Sequence, residues 1–261
     1  MIKIIKQNPA VLEQLQRGGL VHLNVLNYLE YAPDADVLTF DEDLGRGVIV
    51  RFVDDENSEY DDEGYFVATD DEEFLAAFWD GLAPGEKFFS GVPHEAAEIL
   101  KGKSDNEALW YNPCYTYAYD PSTTDAHCAP LHDSEHPDDY LRINDVPVVD
   151  EFYTYRYEGS EDDFREAVLT LDNSCVRIDG ELAAWCLVHV GDGSLGPLYT
   201  MEAHRRKGLA ELVSARLFDK LAKKGKTPYM HIVKSNEASL KMAKKLQLKY
   251  SHDATFFGLK K

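Results

Sequence analysis

Residues 198–218, LYTMEAHRRKGLAELVSARLF, carry the reading on which the fold turns. A β-type run ends near Met201, and from Leu209 the apolar residues Leu209, Leu212, Val213, Leu217 and Leu221 recur at helical spacing. Between them stand Arg205, Arg206 and Lys207, followed directly by Gly208. A strand that enters a helix through a short loop leaves the first helical N–H groups unpaired, with the positive end of the helix dipole behind them. Such an end binds anions. Gly208 and Ala210 are small enough to let a pyrophosphate approach the backbone, where larger side chains would hold it off. Three cations at the same point suit a diphosphate carrying a further ribose phosphate. The expected ligand is a nucleotide-like polyanion.

The charge of the whole chain sharpens this expectation. The net charge is −20, yet from Ala203 onward 15 Lys and Arg face 4 Asp and Glu, so that segment is +11 and the first 202 residues carry −31. An acidic body repels a long polyanion or an anionic bilayer, so neither nucleic acid nor membrane is an expected partner. No stretch approaches the roughly 18 apolar residues of a membrane span, and the N-terminus has no signal-peptide pattern. The chain reads as cytoplasmic. Cys114, Cys128, Cys175 and Cys186 show no CxxC spacing, which points to four reduced thiols. His127, Cys128, His132 and His136 match no zinc pattern and lie among turn-forming residues; they read as surface loop, with no metal expected.

Periodicity predicts helices over 8–17, 20–30, 70–80 and 93–101, and strands at 37–40, 48–53 and 65–68. The acidic loop DDENSEYDDEG reads as solvated. Residues 110–121 form a strand with Tyr115, Tyr117 and Tyr119 on one face, read as packing, and periodicity then stops until about Tyr140. That break is the expected boundary between an N-terminal α/β half, 1–135, and a C-terminal domain, 140–261. In the second, a helix at 161–171 precedes a hairpin whose turn is Asp179-Gly180. Strand 195–201, helix 208–224, strand 229–233, helix 236–246 and strand 249–258 follow, with Gly225 as a helix stop.

Arg205-x-x-Gly208-x-Ala210 between a strand and a helix resembles the acyl-CoA signature of the GNAT superfamily of N-acyltransferases. The segment YMHIVKSNEASLKMAKKLQLKY resembles that superfamily's next strand and helix, and the GEL hairpin also matches. The resemblance spans about residues 160–258 and is strongest to the glycine N-acyltransferase-like branch and its bacterial relatives. It implies an α/β (α+β) fold with a central mixed, splayed sheet flanked by helices. The N-terminal half is then read as a degenerate GNAT-like copy, although it has no second glycine loop.

The resemblance also implies the chemistry: acetyl-CoA or another acyl-CoA as co-substrate, and a small-molecule amine, amino acid or peptide as acceptor. Thr200, Met201, Arg205, Arg206, Lys207, Gly208, Leu209, Ala210, Asn236 and Ser239 would hold the CoA. The amine attacks the thioester directly, and backbone N–H groups of the splayed strand stabilise the oxyanion. The superfamily's usual acid, a Tyr seven residues after the Asn, is replaced by Ala243. Tyr250 and Tyr199 stand nearby in sequence, and Tyr250 is the candidate acid. Among His189, Asp192, Glu202 and His204, the strand-borne His189 is the first candidate base. A non-catalytic CoA-binding module remains the alternative. A dinucleotide-binding enzyme fits worse, because RRKGLA lacks the first glycines of GxGxxG.

Overall fold

In a computed structural model of the chain, the described residues are 1–53, 63–104, 108–128 and 135–261, with the side chains of 53 and 125–128 outside that description. Most of the acidic loop, and the His127, Cys128 and His132 side chains, therefore lie outside it. The chain divides into two compact units, Met1–Thr116 with Val233–Ser235 and Ser251–Lys261, and Tyr117–Ile232 with Asn236–Tyr250. The division falls earlier than the 135–140 expected from sequence, and it gives the last strand to the first unit.

The first unit runs β1 (Ile2–Lys6), α1 (Pro9–Arg17), α2 (Leu23–Tyr31), β2 (Asp36–Phe40), β3 (Val48–Val53), β4 (Glu63–Ala68), α3 (Glu72–Gly81), β5 (Glu86–Pro93), α4 (His94–Lys103) and β6 (Ala108–Ala118). Its strands lie in the order β1-β2-β3-β4-β5-β11-β6, where β11 is Lys249–Lys260. The sheet is mixed: β3 and β4 are antiparallel, β4 and β5 parallel from Glu63↔Lys87 to Tyr65↔Phe89, and β11 antiparallel to β5. Phe74, Leu75, Phe78 and Trp79 of α3 and Ala96, Ala97 and Leu100 of α4 pack on one face with Phe89 and Phe257. Val11 and Leu15 of α1 and Val25 and Leu29 of α2 pack with Val37, Val48 and Phe66.

The second unit runs α5 (Pro121–Cys128), α6 (Val146–Glu151), α7 (Ser160–Thr170), β7 (Asn173–Ile178), β8 (Glu181–Val188), β9 (Leu195–Thr200), α8 (Leu209–Lys223), β10 (Tyr229–Val233) and α9 (Glu237–Lys245) before β11. Asp179 and Gly180 have φ of 53° and 88°, the two left-handed positions a primed hairpin turn requires. β7, β8 and β9 form a three-stranded antiparallel sheet. α8 buries Leu209, Leu212, Val213, Leu217, Phe218 and Leu221 against this sheet, with Met242, Ala243 and Leu246. Each buried Leu, Val, Phe or Met side chain of this cluster contributes about 1.5–3 kcal/mol. Its other flank is polar but occupied: Arg216 donates to the Pro137 carbonyl at 3.2 Å and Lys220 pairs with Asp138 at 3.0 Å. Asp139 in turn bridges Cys175 of β7 by backbone hydrogen bonds of 2.9 and 3.3 Å. Leaving out β1 and α5, the runs α1 to β6 and α6 to β11 each place two helices, three strands, a helix, a strand, a helix and a strand in the same order.

Candidate functional site

β9 ends at Thr200, and its only sheet neighbour among the described residues is β8. β10, the next strand in sequence, does not pair with it, so the β9 edge turned away from β8 is open. Backbone alternation decides which groups face that edge. Met201 N–H donates to the Ala183 carbonyl at 2.9 Å, so Met201 is committed to β8 and cannot serve as a free donor, contrary to the sequence reading. In an antiparallel ladder the direction of the N–H groups alternates, which turns those of Leu198 and Thr200 to the open edge. Leu198 is a residue that sequence reasoning passed over. The Thr200 Oγ1 hydroxyl is buried without a hydrogen-bond partner among the described residues.

The loop that follows is exposed from Arg205 to Gly208, while Leu209 is buried and Ala210 half-buried. Arg206 and Gly208 have φ of 62° and 78°. A Cβ on Gly208 would meet nothing within 4 Å. The glycine is thus needed for its left-handed backbone, and the space in front of it is open; crowding by a larger residue would act on a ligand alone. Among the described residues no side chain caps α8, and its first helical bond runs from Leu212 N–H to the Gly208 carbonyl at 3.0 Å. The N–H groups of Leu209, Ala210 and Glu211 therefore have no intrahelical partner. Arg205 folds back over β9, donating to the Thr200 carbonyl at 3.3 Å and the Tyr199 hydroxyl at 3.2 Å. Lys207 Nζ stands 3.4 Å from His204 Nδ1.

The turn between β4 and α3 of the first unit is built the opposite way. Asp71 Oδ1 accepts from Phe74 N–H at 2.8 Å, and Arg46 Nη2 lies 2.6 Å from the same carboxylate. The Arg46 hydrogen bond lowers the Asp71 pKa to about 2. The flanking residues are Asp70, Glu72 and Glu73. This helix end already holds the protein's own anion.

Asn236 is exposed and caps α9, its Oδ1 accepting from Ser239 N–H at 3.1 Å. Ala243 is fully buried in the core between α8 and α9. Tyr250 is half exposed, edge-on to Tyr117 with ring centroids 6.0 Å apart. His189 follows β8, and its Nε2 would lie 2.6 Å from a Cβ built on Gly196 of β9. The imidazole therefore sits on β9 itself. Burial lowers its pKa below 6.5, against the opposing pull of Asp192 and Asp163. His189 also lines a cavity of about 90 Å³ with Tyr153, Tyr157, Asp163 and Phe164, none of them anticipated from sequence. The aromatic run FYTYRYEG between α6 and α7 was the available signal. Among the described residues no His, Cys, Asp and Glu group could hold a metal ion, and no helix is long and apolar enough to cross a membrane.

Residues 175–256 match the family model described as FR47-like protein. No curated protein matches the chain. Among solved structures, a structural-genomics protein from Drosophila melanogaster is 14% identical with a TM-score of 0.72, covering 98% of each chain. A GCN5-related N-acetyltransferase-like protein from Streptococcus suis is 14% identical with a TM-score of 0.56, covering 96% of this chain and 100% of its own. A tandem GNAT protein from the clavulanic acid biosynthesis pathway is 11% identical with a TM-score of 0.57, covering 100% of this chain and 98% of its own. The chain has the fold of the GCN5-related N-acetyltransferases.

Proposed function

We propose that the protein is an N-acyltransferase that moves an acyl group, most simply acetyl, from acyl-CoA to a primary amine in a ternary complex. The observation that carries this reading is the joint placement of an open β9 edge and an uncapped cationic helix end one loop further on. The N–H groups of Leu209 and Ala210, with Arg206 and Lys207, would take the pyrophosphate. Leu198 and Thr200 would pair with the pantetheine amides, and Asn236 would meet the arm from α9. Arg205 would position the end of β9 through Thr200 and Tyr199.

The amine, freed of one proton, attacks the thioester carbonyl; the C–N bond forms, an oxyanion develops against the β9 N–H groups, and the C–S bond breaks. Holding both reactants on one strand can supply about 7–11 kcal/mol of the barrier. His189 is the base in this account. For the acid, Tyr250 is the candidate on chemistry, and a thiolate also departs without strong assistance. The branch we assign it to is that of the glycine N-acyltransferase-like proteins, in the cytoplasm, with the first unit a degenerate copy whose anion site is closed by Asp71.

A second reading, a CoA-binding module without turnover, draws on Ala243. Its full burial leaves no room for the tyrosine that the superfamily carries there. Thiol release from acetyl-CoA with a panel of amines separates the two: turnover with any amine supports the enzyme, and CoA affinity with no turnover supports the module.

A further inference from the structure

Tyr199 joins two parts of the second unit that are far apart in sequence. Side chains alternate along β9, so Leu198 packs in the cluster under α8 while Tyr199 packs in the opposite one, with Trp185, Phe152 and Phe164. Its ring meets two others: Phe152 stacks at 4.9 Å and 28°, and Trp185, its direct partner in the β8–β9 register, lies at 5.2 Å and 32°. Trp185 is fully buried and its Nε1 has no hydrogen-bond partner among the described residues, so ring contact alone holds the stack there.

Phe152 is the first residue after α6, where the loop to α7 begins. Its N–H donates to the Val148 carbonyl at 3.2 Å, and the Tyr153 N–H to the Asp150 carbonyl at 3.1 Å. The Asp150 carboxylate, 1% exposed, takes Arg156 Nε at 2.5 Å and the Ser160 hydroxyl, which draws the two ends of the loop together. A ring fixed against Phe152 is therefore fixed against the segment 152–159.

The other contact of Tyr199 is Arg205. Its Nη2 donates to the Tyr199 hydroxyl at 3.2 Å, its Nε donates to the Thr200 carbonyl at 3.3 Å, and its Cζ lies 5.6 Å from the Tyr199 ring centroid. Acceptors on two successive residues fix both the place and the plane of the guanidinium. Among the described residues the exposed Arg205 side chain has no other hydrogen bond or ion pair. The next residue, Arg206, takes a φ of 62°, a conformation that disfavours any side chain with a Cβ. The turn that presents Lys207 and Gly208 to a ligand thus starts from a strained residue whose upstream neighbour is anchored on Tyr199. A guanidinium carries five N–H donors and two are engaged, so the others can meet a phosphate while the Tyr199 bond stays.

We propose that Tyr199 is a positioning residue: its hydroxyl holds Arg205 and so sets the anion loop, and its ring ties that loop to Phe152 and the α6–α7 segment. This deepens the CoA-binding reading of the preceding section and rests on it. An anion that fixes the guanidinium also fixes the phenol and the rings stacked on it, so CoA at the α8 end and the segment 152–159 bias each other in both directions. A tyrosine that served only as packing could be replaced by phenylalanine without effect. The hydroxyl carries the link.

The test uses the intact protein and the variants Tyr199→Phe, which keeps the ring stack, Arg205→Ala, the two combined, and Trp185→Phe. Calorimetry with CoA is expected to show Tyr199→Phe and Arg205→Ala each about tenfold weaker than the native chain. The combined variant should be no weaker than Arg205→Ala, because both substitutions cut one link. Trp185 emission, excited beyond the adenine band, should change on saturation with CoA in the native chain, clearly less in saturated Tyr199→Phe and not in Trp185→Phe. Amide exchange over 152–159 should be faster in Tyr199→Phe than in the native chain even without CoA. Native CoA affinity in Tyr199→Phe, additive losses in the combined variant, or an emission change of native size in saturated Tyr199→Phe or in Trp185→Phe overturns the proposal. A native chain that does not bind CoA overturns the acyltransferase reading; amide exchange without CoA then decides the link separately, equal rates in the native chain and Tyr199→Phe overturning it.

Discussion

His189 Nε2 rests against the backbone of Gly196 so closely that a methyl group added to that glycine would lie 2.6 Å away. The ring cannot keep its place if residue 196 gains a side chain. Gly196→Ala is therefore expected to cost about 1–3 kcal/mol through overpacking and to displace the imidazole. Steady-state kinetics should show kcat/KM for the amine falling about tenfold or more, with the CoA dissociation constant unchanged. Native-like kinetics in Gly196→Ala would remove His189 from the reaction.

The pH profile offers an independent check on the same ring. Burial lowers the His189 pKa from 6.5, so the neutral, proton-accepting form persists below that pH. The acid limb of kcat/KM should have an apparent pKa below 6.5 and disappear in His189→Gln. A limb above 6.5, or one that survives the substitution, contradicts the assignment.

Asp71 is expected to be a stability residue of the first unit. It caps α3, and losing such a cap costs about 1 kcal/mol, up to 2. Its folded pKa, lowered from 3.8 to about 2 chiefly by the Arg46 hydrogen bond, means that the carboxylate's contribution is present above about pH 4 and is lost as pH falls toward 2. Urea unfolding of the native chain and Asp71→Ala at pH 7 and at pH 2.5 should show a difference that narrows at the lower pH. A constant difference would contradict the linkage.

Arg206 and Lys207 are exposed, and among the described residues the Arg206 side chain has no hydrogen bond or ion pair while Lys207 has only the His204 contact, so their removal should leave stability within about 0.5 kcal/mol. Each alanine substitution is expected to weaken CoA binding about tenfold. The effect should shrink as ionic strength rises. Equal affinities at low salt would mean that the cations are only a solvated turn.

The parts legible in the sequence were those whose local chemistry and burial agree. The hairpin at Asp179-Gly180, α8 with its apolar stripe, β10 and α9 all follow the periods their residues set. β1 was missed because IKIIK is an edge strand with a burial pattern that does not alternate. β5 was missed because it carries Lys87, fully buried and held by Glu63 at 2.9 Å, where the pattern calls for an apolar residue. α6 has six residues and a proline near its start, and α5 has almost no apolar face; it begins on Asp120, whose carboxylate accepts from Ser122 N–H. The anion loop was legible because charge, glycine and helix start coincide in sequence. Tyr153, Tyr157, Asp163 and His189 meet only through tertiary packing of the α6–α7 loop, α7 and the end of β8, and no spacing announces that.

Calorimetric titration of the intact protein with CoA, repeated with Gly208→Trp, tests the central claim most directly. The native chain should bind one CoA. The indole, pointing into the open space before the α8 N–H groups, should reduce affinity by more than tenfold, with a stability loss near the 1–2 kcal/mol of a left-handed position. No CoA binding by the native chain, or equal binding by both, would contradict the account.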